Sequence, residues 1–273
     1  APGSAFRLTG VVGSAGAATL AALHRRLPDR ILVAVLPDPN QAQAVEADLD
    51  ALLGEGISHI FPQRESLPYE SDEPHVEVGG LRVEAVESVF SGRGRILVTT
   101  VRALQERVPL PSHLADLRLT LKVGDTLPLG MLVEILEERG FQRAPVVEEV
   151  GQFAVRGGIL DVFSFGAPDP LRVEFWGDDV ESLRSFDILD QRSTGTLREA
   201  HVLPVDFSSE EASGTASRSL LELLPSEALL LDMGGEPWAH VLTRSWEHAG
   251  RVYAELRDSG MEDLHPPEEL FLS

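Results

Sequence analysis

The stretch Ile31-Leu32-Val33-Ala34-Val35-Leu36, held between Pro28 and Pro37, decides the fold. Six successive apolar residues are too few for a buried helix. They also lack the alternation of a half-exposed strand, so they predict a strand covered on both faces. Working outward, similar short runs return at Ile57–Phe61 and Ile96–Thr99, with helical patterns between them. Leu20, Leu23 and Leu27 share one helical face ahead of the first strand. After it, Pro37-Asp38-Pro39-Asn40 starts a helix that carries Val45, Leu49 and Leu52 at i, i+4 and i+7. A third helix is predicted over Leu81–Phe90 with Ala85, Val86 and Val89 inward, and a fourth around Arg102–Arg107. Strands and helices alternating at this spacing make a parallel sheet wrapped by helices, an α/β fold.

From about Leu117 the rhythm changes. Leu117, Leu119 and Leu121 alternate with polar residues, a helix is predicted over Pro128–Arg139, and then Gln152–Val155, Ile159–Phe163, Leu171–Trp176 and Val180–Phe186 follow with no helix between them. Such a run is antiparallel in character and needs its own core. After Pro204 the mixture returns: Ser217–Leu224 reads as helix, Leu229–Leu231 as a short buried strand and Trp238–Leu256 as helix. The polar stretch Ser208–Thr215 reads as a surface loop. The expected organisation is a parallel α/β domain begun by residues 1–116, an inserted α+β domain over 117–204, and a return segment, 205–273, that completes the first domain.

Length and composition agree with this division. At 273 residues the chain is long enough for about two domains, and 43% hydrophobic with 25% charged residues excludes wholesale disorder. The net charge of −21 repels phosphate backbones and anionic lipid, which argues against a nucleic-acid or membrane-surface protein. Residues 205–273 hold 4 basic and 14 acidic side chains, nearly half of that excess. With no cysteine, disulfides, thiol catalysis and cysteine zinc sites are all absent. No apolar run reaches the roughly 18 residues of a membrane span, and no basic region precedes an apolar one at the start. The expected location is therefore the cytoplasm. Of the 23 basic residues, 22 are arginine, so any lysine chemistry must use Lys122.

Catalytic motifs are sparse. Gly10, Gly13 and Gly16 lie where a phosphate-binding loop would precede a helix, but that loop needs G-x-x-x-x-G-K-[ST]. Counted from Gly10, the second glycine, lysine and hydroxyl fall on Ala15, Gly16 and Ala17; shifted by one residue, the lysine falls on Ala17. Both registers lack the charge. The expected role is a tight turn into a helix, and a weak anion site on the helix end is the remaining functional reading. The eight histidines form no HExxH pattern, there is no G-x-S-x-G elbow, and adjacent acids such as Asp178-Asp179 are expected by chance among 44. No metal and no cofactor are expected.

What remains is a surface. Arg156-Gly157-Gly158 lies between two predicted strands, and in the next strand Arg172, Glu174 and Trp176 share one face while Leu171, Val173 and Phe175 take the other. If the apolar face is core, the opposite face displays an arginine beside a tryptophan, residue types enriched in interface hot spots. A tryptophan covered by the domain's own helix or loop fits the same parity.

The motifs themselves resemble a family. Leu8-Thr9-Gly10, Glu65-Ser66-Leu67-Pro68-Tyr69-Glu70-Ser71, Arg82, the run Arg156–Phe163, the run Arg172–Asp187 and Gln191-Arg192-Ser193 look like the N-terminal module of the bacterial transcription-repair coupling factors, over residues 6–205. That module is similar to UvrB of nucleotide excision repair. The resemblance implies a degenerate RecA/P-loop-like domain of the UvrB domain 1 type with an inserted domain that docks UvrA, and the family's docking positions fall on Arg156, Arg172 and Trp176. It also implies departures from UvrB. The loop lacks its lysine, and the ten residues Ser71–Gly80 are too few for UvrB's DNA-clamping hairpin and include Asp72, Glu73 and Glu77. The expected function is a non-enzymatic UvrA-recruiting part of a longer, ATP-dependent DNA translocase, whose other domains could mask the docking face and would supply the contacts to RNA polymerase and DNA. A nucleotide- or DNA-binding activity of UvrB type is the alternative.

Overall fold

The computed structural model describes residues 6–64, 76–108, 118–206, 218–261, 264 and 266–271. In chain order the elements are α1 (Ala15–Arg26), β1 (Leu32–Leu36), α2 (Pro39–Leu53), β2 (Ser58–Phe61), α3 (Val76–Phe90), β3 (Ile96–Thr100), α4 (Val101–Gln105) and β4 (Arg107–Val108). There follow β5 (Leu119–Lys122), α5 (Leu129–Glu138), β6 (Gln142–Arg143), β7 (Gln152–Arg156), β8 (Ile159–Val162), β9 (Leu171–Trp176) and β10 (Asp179–Phe186). The chain ends with β11 (Ser193–Leu197), β12 (Glu199–Val202), β13 (Arg218–Ser219), α6 (Leu220–Leu223), β14 (Leu229–Asp232), α7 (Trp238–Asp258) and α8 (Pro267–Leu270). Two compact units result, one of Ala1–Pro74, Ala85–Val108 and Ser217–Ser273, the other of His75–Glu84 and Pro109–Ala216.

The first unit is built on a parallel four-stranded sheet in the order β14-β1-β3-β2. All five residues of β1 and of β3 are buried, as an uninterrupted apolar run requires. Each fully buried leucine there contributes roughly 1.5–3 kcal/mol. The return segment supplies the edge strand, with Leu230 opposite Val33. Asp38 caps α2 by accepting from the Gln41 N–H at 3.0 Å, with Pro39 in the first turn.

The second unit carries a six-stranded sheet in the order β11-β10-β9-β8-β7-β6, antiparallel except where β6 meets β7. One face packs Phe153, Leu160, Val173 and Leu183 against Leu132 and Leu136 of α5. A bulge between Val180 and Ser182 lets Val180 and Leu183 both point to that core although they lie three residues apart. The opposite face is polar along much of its length and has a small apolar cluster of its own, Val147, Ala154 and Phe186.

Several elements depart from the sequence reading. β6, β11 and β12 were not anticipated: Gln142-Arg143 is only two residues long, Ser193-Thr194-Gly195-Thr196-Leu197 shows no apolar alternation, and the alternation of Glu199-Ala200-His201-Val202 is only four residues long. The helix expected over Ser217–Leu224 is a two-residue strand followed by the single turn α6, which ends ahead of Pro225. Helix α3 starts at Val76 rather than Leu81. Leu117, the Ser208–Thr215 stretch and the Glu65–Ser71 motif lie outside the described residues.

Candidate functional site

The polar face of the six-stranded sheet is laid out by strand register. One cross-strand row runs Ala154, Asp161, Arg172, Arg184, Thr196; the next runs Arg156, Ile159, Glu174, Ser182. Two hairpin tips close the same end of the sheet. The β7–β8 tip is Gly157-Gly158 and the β9–β10 tip is Gly177-Asp178, with φ of +63° at Gly157 and +62° at Gly177, backbone that favours glycine. The Phe175 N–H donates to the Gly158 carbonyl at 2.8 Å, which ties the two tips together. Trp176, the last residue of β9, is 79% exposed beside them. Of the two arrangements open to this tryptophan, the exposed one is found.

Asp161 organises the middle of the face. Its carboxylate, 1% exposed, accepts from Arg172 through Nε at 2.7 Å and Nη2 at 2.9 Å, and from Arg156 Nη2 at 2.7 Å. A two-pronged guanidinium bond of this kind is among the strong charge-assisted contacts. Arg172 also donates from Nη1 to the Gln191 carbonyl at 3.1 Å, and its guanidinium lies 4.5 Å over the Phe186 ring. The hydrogen bond to Asp161 holds the Arg172 guanidinium above its ordinary pKa; desolvation opposes this and the charges of Asp161 and Glu174 add to it. Farther along, Glu174 accepts from Ser182 at 2.5 Å and pairs with Arg184 at 3.4 Å.

Strand parity places Arg172 and Trp176 on one face, as expected, but the expectation that Arg172 is displayed there must be corrected. Its side chain is only 13% exposed, whereas that of Arg156 is 46% exposed. Parity fixes which way a side chain leaves the sheet, not what folds over it. Here the turn after β10 covers it: Asp187 accepts from the Leu189 and Asp190 N–H groups, and Gln191, with φ of +61°, donates from Nε2 to the Val147 and Ile188 carbonyls. The sequence reading also missed Asp161 as a site residue. A lone acid inside the apolar run Ile159-Leu160-Asp161-Val162 was the available signal, since a carboxylate so placed needs a partner.

The glycine loop is separate chemistry. Among the described residues, 6–13 hold no strand; Gly10 and Gly13 lie in an exposed turn, and Gly16 sits in the first turn of α1. A Cβ on Gly16 would come within 2.6 Å of Met233 Cε, the far end of a flexible side chain that would have to move aside. Lys122 lies in β5, 3.3 Å from Glu199. Among the described residues no group of three metal-binding side chains exists, and no helix is long and apolar enough to cross a membrane.

Residues 119–207, which hold this whole face, match the UvrB interaction domain family. Curated relatives match more of the chain. The transcription-repair-coupling factor of Myxococcus xanthus is 36% identical over 209 residues, 74% of this chain. Those of Haemophilus influenzae and Escherichia coli are 32% and 28% identical over 64% and 78% of it. This chain is a relative of the transcription-repair coupling factors. It spans 17%, 16% and 19% of the length of those three coupling factors, respectively. The resemblance read from the motifs is thus met by the matches, and the polar face lies within the residues that match the UvrB interaction domain.

Proposed function

We propose that the chain is a non-catalytic recruitment module that docks UvrA through the polar face of the six-stranded sheet, at the end formed by the two hairpin tips. The observation that carries this reading is Trp176, 79% exposed beside the half-exposed Arg156. An exposed tryptophan offers a large rigid apolar surface for a partner to desolvate, and arginine and tryptophan are the residue types that anchor interfaces. The three docking positions are Arg156, Arg172 and Trp176. The Arg156, Arg172 and Asp161 trio carries one net positive charge on a chain of −21, so the face suits a partner surface with carboxylates. The parallel sheet of the first unit is read as a degenerate P-loop-like scaffold of the UvrB type that has kept its glycines without phosphate chemistry. In a longer parent chain the same face is the natural one for other domains to mask.

Calorimetric titration of UvrA into the chain tests the reading. Trp176→Ala should weaken binding at least tenfold, since truncating a hot-spot residue costs about 2 kcal/mol or more. The thermal midpoint should be nearly unchanged, because so exposed a side chain adds little to folding. Arg25→Ala, in α1 of the first unit, should bind as wild type. Wild-type affinity in Trp176→Ala and Arg156→Ala alike would remove the docking face.

A further inference from the structure

The roles of the two arginines around Asp161 are not equivalent. Each of the three guanidinium nitrogens of Arg172 already donates within the chain, Nε and Nη2 to Asp161 and Nη1 to the Gln191 carbonyl, and the Phe186 ring lies against the group. Arg156 spends only Nη2 on Asp161; among the described residues its Nε and Nη1 make no hydrogen bond. The Nε–Nη2 fork of Arg172 is thus occupied on a side chain only 13% exposed, whereas Arg156, 46% exposed, gives one N–H of Nη2 to Asp161 and keeps a second fork open to a partner carboxylate.

We infer that Arg172 is a positioning residue: it neutralises and fixes the buried Asp161 so that Arg156 is anchored by one nitrogen and presents the rest of its guanidinium to UvrA. This rests on the docking reading above and assigns Asp161 to the site. The geometry makes Arg172 the main partner of Asp161, with two bonds to the carboxylate against one from Arg156. Without it, a carboxylate that is 1% exposed keeps Arg156 as its remaining described partner. Buried carboxylates demand neutralisation, so Arg156 would be drawn inward and its open donors lost to the partner. The effect of Arg172 on docking thus passes through Arg156.

A double-variant cycle separates this from direct contact. UvrA affinity is measured by calorimetry for Arg156→Ala, Arg172→Ala and the two combined, at a temperature where circular dichroism shows each to be folded. If Arg172→Ala does not fold there, Arg172→Lys, which keeps a cation beside Asp161 without the planar fork, takes its place. Each single substitution should weaken binding by about tenfold, and the combined variant should bind within about twofold of Arg156→Ala. Losses that multiply in the combined variant overturn the positioning role while leaving the docking face standing. An unaltered affinity in Arg172→Ala, with Arg156→Ala weakened, also overturns it and leaves Arg172 a folding residue. If neither arginine variant nor Trp176→Ala alters binding, the docking reading itself has failed, an outcome that neither of the other two can imitate.

Discussion

Asp161 and Arg172 stand directly opposite one another on β8 and β9 and are joined by two hydrogen bonds, Nε to Oδ1 at 2.7 Å and Nη2 to Oδ2 at 2.9 Å. Arg156 reaches the same carboxylate from the end of β7, so one buried acid links three neighbouring strands. Charge pairs buried this deeply are weak evidence of net stabilisation, yet removing one partner leaves an uncompensated charge. The stability consequence is therefore sharply unequal for the two arginines.

Arg172→Ala should destabilise the chain by about 2 kcal/mol, below the 3–5 kcal/mol typical of a broken buried pair because Arg156 remains beside the carboxylate. Arg156→Ala, whose side chain is 46% exposed, should cost less than about 1 kcal/mol. Urea unfolding followed by circular dichroism measures both. Equal midpoints for the two variants would show that the fork adds nothing beyond a surface ion pair.

The sequence exposes some of this and hides the rest for definable reasons. The apolar run Ile31–Leu36 could only be a strand covered on both faces, and β1 is buried throughout. The alternation Leu171, Val173, Phe175 against Arg172, Glu174, Trp176 assigned each side chain to its face, because a strand has no other way to place them. The cover over Arg172 was not legible. It depends on a turn whose geometry is set by Asp187 and by the positive φ of Gln191, the latter 19 residues away in sequence, and no glycine or proline marks it. The early start of α3 was hidden too. Gly79 and Gly80 weaken a helix by propensity, but a Cβ at Gly80 would overlap the Phe165 ring and one at Gly79 would come within 2.7 Å of the Val205 carbonyl oxygen. Tertiary packing demands glycine at both positions, and propensity yields to it.

His24, in the last turn of α1, makes stability depend on pH. Burial lowers its pKa below the ordinary value of about 6.5, and the positive charges of Arg95 and Arg25 lower it further. Its Nδ1 is buried and has no hydrogen-bond partner among the described residues. The folded chain thus favours the neutral ring, while the unfolded chain takes up a proton as pH falls past about 6.5. The contribution is complete above that pH and is lost as pH falls toward the lower folded-state value. His24→Gln should flatten the fall in unfolding free energy between pH of about 7 and 5, measured by urea denaturation at each pH. An unchanged slope in the variant would show that other groups carry the acid sensitivity.

The loop ahead of α1 is not built to take ATP. In one register the missing phosphate-loop lysine falls on Gly16, where any side chain meets Met233, and in the other it falls on Ala17, which is wholly buried in the first unit. Neither position is a solvent-facing site that has merely lost its charge. Both now belong to the packing of α1, whose Ala15 N–H is already taken by the Val12 carbonyl at 3.2 Å. The wild-type chain should therefore show no ATP binding at micromolar concentration in the presence of Mg²⁺. Restoring the motif's lysine should not create it, because a cation forced into an apolar interior costs several kcal/mol before it meets any phosphate. Ala17→Lys should accordingly lower the thermal midpoint and leave a fluorescent ATP analogue unbound. Saturable micromolar binding by the wild type, or binding gained in Ala17→Lys without loss of stability, would show that the loop keeps a phosphate-binding geometry and lacks only its charge.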